Sequence, residues 1–379
     1  MQAVQPPVVP LVARLIRQNP DTISLGQGTV YYGPPQAATA RVEHALAGQD
    51  IHQYGPVGGL AELRDALARK LSTENGIDAD PDSRLLVTAG ANMAFVNTVL
   101  AIADPGDEFI LPLPYYFNHE MALRMLNCEP VAIASGNGFL PDPDVIAKAI
   151  TARTRALVTI SPNNPSGAVY PRELLAELNV LCKARGIYHI HDEAYEYFTF
   201  DGAEHFSPGS LPDASSHTVS LFSLSKSYGF AGWRIGYMVI PEHLMEAVYK
   251  VQDTNLICPN QLAQHAALGC LEAGSGYVRH KKREIEYCRQ LAVSGLQELN
   301  DRCQVITTDG AFYFLFKFVS ELTEMQIVER LIVEHGVAVI PGSTFGLPPG
   351  HLRVAYGALR RDSVNTGMNR LVAGLKALL

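Results

Sequence analysis

Lys226 stands in the segment Ser223-Leu224-Ser225-Lys226, with Gly229, Gly232 and Arg234 close behind it. The run before it, Val219 to Leu224, is strand-like, and the glycines after it read as a turn. A lysine at the mouth of a buried sheet is poorly placed for packing. It is well placed to form a Schiff base with a carbonyl, while small hydroxyls and a guanidinium hold a nearby phosphate. Taken alone, the residue also fits a surface lysine beside a turn.

Other segments narrow the choice. Ligands of an open α/β sheet bind beyond the carboxyl ends of its strands, and three further motifs fall at such ends. Thr88-Ala89-Gly90-Ala91-Asn92 runs from a strand into a helix start, where backbone N–H groups are free to meet an anion; a tight turn is its plain alternative. Ser161-Pro162-Asn163-Asn164-Pro165-Ser166-Gly167 is a loop locked by two prolines. It would hold Asn164 ready to donate to an oxygen on a bound ring. Ile190-His191-Asp192-Glu193-Ala194-Tyr195 places a carboxylate after an apolar strand. Such a carboxylate can accept from a protonated ring nitrogen, as pyridoxal phosphate requires, or cap a helix.

Two more residues extend the set. Arg353, between His351-Leu352 and Val354-Ala355-Tyr356, enters an apolar strand and would need a partner there. Its guanidinium fits an α-carboxylate bidentately. Tyr115, after Leu113-Pro114, offers a flat face for stacking on an aromatic cofactor. Metal chemistry is not expected: His189 and His191 share a strand face without a third ligand, and no GxxxxGK[ST] phosphate loop or dinucleotide fingerprint is present.

The elements that must position these groups are legible as alternating strand and helix. Seven short strands are expected at Leu85 to Thr88, Glu108 to Leu111, Pro130 to Ala134, Ala156 to Ile160, Ile187 to His191, His217 to Leu224 and Ile235 to Ile240. Helical spacing falls between several of them, at Ala91 to Ala103, Pro143 to Thr151 and Pro171 to Arg185. This is an α/β pattern: a large domain with a mainly parallel seven-stranded sheet covered by helices, plus a smaller α+β domain. A long helical region from Gln261 to about Leu299 leads into the latter, whose strands are expected at Ala311 to Phe318, Val337 to Ile340 and Leu352 to Tyr356. The proposed division is an N-terminal segment 1–35 of extended chain and turns, a large domain 36–280 and a small domain 281–379.

Bulk properties exclude other classes. With 379 residues, 47% hydrophobic and 18% charged, the chain is a compact globular protein. A net charge of -8 and the lack of a basic block give no nucleic-acid partner. No membrane-length apolar run or secretory leader is visible, and the six scattered cysteines suit a reduced, cytoplasmic setting.

The order of SLSKSYGFAGWRIGY after NNPSG and DEAY resembles that of the fold-type I pyridoxal-phosphate aminotransferases, class I/II, over roughly Leu25 to Gly357. The resemblance implies pyridoxal 5'-phosphate as cofactor, in Schiff-base linkage to Lys226, which later moves the Cα proton. It implies that Asp192 pairs with the pyridine nitrogen, Asn164 and Tyr195 contact the ring hydroxyl oxygen, and Tyr115 stacks on the ring. Ala91, Asn92, Ser223, Ser225 and Arg234 match the phosphate cup. Tyr54 would reach the phosphate of a neighbouring subunit, implying a homodimer with shared active sites. Arg353 would clamp the α-carboxylate, with Gly28 and Asn164 assisting.

Two departures bear on the substrate. The N-terminal loop reads Gly28-Thr29-Val30-Tyr31-Tyr32, and no arginine falls in Asp253 to Asn260, where dicarboxylate-specific members carry one. The expected reaction is amino-group exchange between an apolar, aromatic or mixed L-amino acid and a 2-oxo acid. A carbon–sulfur β-lyase, or another α-carbon reaction on the same scaffold, is the alternative.

Overall fold

The computed structural model describes residues 4–48 and 50–379; Met1, Gln2, Ala3 and Gln49 lie outside the described residues, including the start of the expected N-terminal segment. In spatial order, the large sheet runs Leu85–Thr88, Gly236–Val239, Thr218–Ser223, Tyr188–Asp192, Thr154–Ile160, Glu108–Pro112 and Glu129–Ile133. Only Gly236–Val239 runs against the rest, antiparallel to both its neighbours. The strands are almost wholly buried except at the Glu129–Ile133 edge, as a sheet with helices on both faces demands.

Register fixes which residues reach the rim. Ile160 pairs with Asp192, Asp192 with Leu221, and both Ser223 and Thr88 with Gly236. The carboxyl ends of four strands and the amino end of the reversed one therefore meet along one edge. Reversal brings Arg234, just ahead of Gly236, back beside Lys226.

The smaller sheet is antiparallel throughout, in the order Ile340–Pro341, His351–Ala355, Tyr313–Phe318 and Cys303–Ile306. The N-terminal segment joins this half through a parallel pairing of Ile23–Ser24 with Val337–Ala338. It is not all extended chain and turns, as its prolines suggest. Val8–Gln18 is a helix, because Pro10 lies in the first turn, where no intrahelical N–H bond is lost. Val8, Val9, Val12, Leu15 and Ile16 then form an apolar stripe against the small-domain core.

The Gln261–Gln297 helix crosses between the two halves. Its residues from Ala263 to Val278 pack in the core under the large sheet, whereas Ile285, Cys288, Ala292 and Leu296 belong to the core of the small one. The helix is interrupted at Gly274, whose φ of 66° and ψ of 179° are not helical.

Candidate active site

A cavity of about 290 Å³ opens at the sheet rim between the two halves. The rim turns are built for close approach. Gly90 has φ of 82°, and a Cβ there would lie 2.3 Å from Nη2 of Arg234. A Cβ on Gly236 would lie 2.7 Å from the Ala91 nitrogen. Only glycine lets the start of the Ala91–Ile102 helix and the arginine meet this tightly. Ala91, Asn92, Ser223, Ser225 and Arg234 consequently line one end of the cavity. Hydroxyls, a helix amino terminus and a guanidinium form a donor set that fits a phosphate.

Lys226 belongs to the one-turn helix Leu224–Ser227, which Ser223 caps by accepting from the Ser225 N–H at 3.1 Å. Its Nζ points into the cavity and donates to the Gly28 carbonyl. Burial, then the positive charges of Arg353 and Arg234, lower its pKa to about 8, against the opposing pull of Asp192. An appreciable fraction is therefore uncharged near neutral pH, the form that attacks a carbonyl or accepts a proton.

Asp192 ends its strand on the cavity wall, and its Oδ1 accepts from the Ala194 N–H at 3.0 Å. Its Oδ2 lies 3.3 Å from Nε2 of His119, a buried ring stacked on Phe95 with centroids 4.2 Å apart. Sequence reasoning missed His119; its only signal was a histidine in the first turn of the helix that follows the Tyr-Tyr pair.

The opposite end is assembled from several elements. Arg353 is 3% exposed; its Nη1 donates to Oδ1 of Asn164 at 2.8 Å and its Nη2 to the Gly26 carbonyl at 2.7 Å. The guanidinium lies over the Tyr313 ring, 4.4 Å from its centroid. Asn164 donates to the Tyr195 hydroxyl at 3.4 Å, and Tyr195 and Tyr313 share a hydrogen bond of 2.7 Å. Burial raises both phenols, Tyr313 to about 12, so they remain protonated donors. Tyr313 was also missed, although its Gly310-Ala311-Phe312-Tyr313 strand entry was visible.

Lys226, Asp192, Asn164, Tyr195, Arg353, Gly28, Ala91, Asn92, Ser223, Ser225 and Arg234 thus converge on one cavity. Two expected residues do not. Tyr115 turns toward Leu113 and Gly346, outside the cavity, and Tyr116 lines it instead. Side chains of successive extended residues point to opposite sides, so a one-residue slip between two tyrosines exchanges wall for core. Tyr54 is 80% exposed and does not line this cavity. His189 and His191 are buried behind the sheet, both bonded to the Thr159 hydroxyl. No cluster of three or more His, Cys, Asp or Glu suited to a metal occurs among the described residues.

This fold and cavity define an enzyme that handles an amino acid on a phosphorylated cofactor, and comparison with known proteins gives the family. The model for aminotransferase class I and II matches residues 20–371, and the chain belongs to that family. It is 35% identical to the aromatic aminotransferase ISS1 of Arabidopsis thaliana, covering 98% of this chain and 94% of that protein. It is 36% identical to the aspartate/prephenate aminotransferase of Thermus thermophilus, over 94% and 91%. The solved structure of Thermus thermophilus aspartate aminotransferase with maleate superposes with a TM-score of 0.91 at 34% identity, covering 98% of both chains. The aromatic aminotransferase of Pyrococcus horikoshii gives 0.89 at 32% identity, covering 97% of this chain and 99% of that one. The protein is a pyridoxal-phosphate-dependent aminotransferase acting between amino acids and 2-oxo acids. The carbon–sulfur lyase alternative is not favoured, since each of these relatives is an aminotransferase.

Proposed function

We propose that this aminotransferase takes amino donors with neutral, apolar or aromatic side chains, and that Lys226 is its Schiff-base lysine and proton carrier. The observation that carries the reading is the charge inventory of the cavity. Among the described residues lining it, the charged side chains are Asp192, Lys226, Arg234 and Arg353. Arg234 serves the phosphate, Lys226 the reacting carbon and Arg353 the α-carboxylate, which leaves this chain no cation for a distal carboxylate. Val9 and Phe117 supply apolar wall.

Bound pyridoxal phosphate supplies an electron sink conjugated to the substrate's α-carbon. The protein's own groups do the rest. Asp192 would hold a proton on the ring nitrogen, Asn164 and Tyr195 would direct donors at the ring hydroxyl oxygen, and Tyr116 would present a ring face. Arg353 orients the substrate through its carboxylate. Lys226 Nζ would take the proton from the substrate's α-carbon and give it back, the buried amine serving as base and then as acid.

The assembly proposed is a homodimer in which Tyr54, exposed in its own subunit, reaches the partner's phosphate. All six cysteines are free, which supports a reducing, cytoplasmic compartment. A half-reaction screen tests the donor class. Phenylalanine, leucine and methionine should bleach the cofactor's visible band at rates at least ~10-fold above aspartate and glutamate, the scale of one unmatched charge. Faster bleaching by aspartate would overturn it.

A further inference from the structure

The one-turn helix that carries Lys226 ends with carbonyls that its own backbone cannot all satisfy. Leu224 O accepts from the Tyr228 N–H and Ser225 O from the Phe230 N–H, both at 3.1 Å. Lys226 O and Ser227 O are served instead by a side chain almost two hundred residues away. The Tyr32 hydroxyl lies 3.0 Å from each, its proton shared between them. Tyr32 is 8% exposed.

The same short segment holds the other end of the lysine, because Gly28 O accepts from Nζ. Backbone and side-chain atoms of Lys226 are thereby tied to one stretch of chain, Gly28 to Tyr32. That stretch is fixed in turn to the crossing helix. Tyr31 donates to Lys281 O at 3.2 Å, Tyr277 donates to Gly33 O at 2.6 Å, and the Lys281 ammonium lies 5.4 Å from the Tyr277 ring centroid. Tyr277 and Lys281 flank the point where that helix passes from one core to the other. Close approach of Tyr32 to the turn after the lysine is built in: Gly229, at φ of 63°, would place a Cβ 2.2 Å from Tyr32 O.

We propose that Tyr32 is a positioning residue for Lys226, its hydroxyl splinting the lysine's turn to the N-terminal stretch Gly28 to Tyr32. This rests on the assignment of Lys226 above. Without the hydroxyl the lysine's turn loses its cap and Nζ its fixed reach to the α-carbon, while the ring of residue 32 keeps its edge contacts with Tyr31 and Tyr277.

The test compares Tyr32→Phe with Tyr31→Phe, which removes the neighbouring hydroxyl without touching Lys226 and leaves the stretch held to the crossing helix by the Tyr277–Gly33 bond. In the holoenzyme, Tyr32→Phe should lower kcat about 3- to 10-fold, the scale of one hydrogen bond, with KM unchanged. The primary isotope effect with an α-deuterated amino acid should rise, because proton transfer becomes more rate-limiting. In cofactor-free protein, the pH midpoint for acylation of Lys226 should move up from about 8 as water reaches the amine. Tyr31→Phe should match the wild type in all three. Wild-type isotope effect and midpoint in Tyr32→Phe, or equal changes in both variants, would overturn the proposal. Both are measured below the melting temperature of each variant, so that unfolding cannot mimic the effect. Failure of the Lys226 assignment reads differently: Lys226→Ala would then keep its visible band.

Discussion

The two ends of the cavity are made in different ways. The phosphate end comes from one sheet rim, where turns after Thr88 and Ser223 and before Gly236 are set by strand register. Its specificity resides in backbone shape, with Gly90 and Gly236 clearing space for Arg234 and Ala91. The carboxylate end has no single scaffold. Gly26 and Gly28 come from the N-terminal segment, Arg353 and Tyr313 from the small sheet, and Asn164 and Tyr195 from the large one. An anchor built from one sheet rim faces a composite grip, so the cofactor's phosphate and the substrate's carboxylate are held by separately built groups.

Variants can break that contrast at either end, and the largest effect is expected where the ends meet. Lys226→Ala should abolish the visible band and cut turnover by at least roughly 10²- to 10⁴-fold, as loss of a general base does; absorbance and single-turnover rates decide it. Arg353→Leu should lower kcat/KM by about 10²- to 10³-fold, the cost of losing one side of a buried charge pairing. Cofactor affinity should remain near wild type, since the phosphate end is untouched. Gly90→Ala should do the opposite. It forces a side chain into a glycine-only conformation at a cost of about 1–3 kcal/mol, weakening cofactor binding by titration while KM for the amino acid, measured at saturating cofactor, changes little. Tyr313→Phe is the mildest. It removes the hydroxyl that holds Tyr195 across the two halves and should slow the half-reaction about 2- to 10-fold. If Arg353→Leu strips the cofactor, or Gly90→Ala leaves its affinity intact, the two ends are not independent.

The same contrast explains what could be read from the chain alone. The phosphate end was legible because its residues follow strands whose apolar runs mark where the sheet stops. The seven strands fall within one to two residues of the expected positions, since burial on both faces leaves a continuous apolar signature. At the composite end, Arg353 was legible because a charge inside an apolar strand demands a partner. Tyr313 and His119 were not, because a buried phenol or imidazole has the same sequence appearance whether or not it faces a cavity. Tyr116 was mistaken for its neighbour because periodicity around the Leu113-Pro114 turn cannot fix which face each tyrosine takes. The Val8–Gln18 helix was hidden by prolines that in fact lie at its start and before it.

The break at Gly274 divides the long helix into two arms whose mutual angle is set by the torsions of one residue. From Gly274 to Gln297 the arm is roughly 35 Å at 1.5 Å per residue, so a pivot of about 5° carries its tip some ~3 Å, about the width of a water molecule. Beyond its chain neighbours and its own helix, Gly274 meets no atom within 4 Å of where a side chain would begin, so its place there is set by backbone conformation and not by packing. The angle between a segment packed under the large sheet and one packed in the small domain's core thus rests on the torsions of a single glycine, three residues before the tyrosine that holds Gly33.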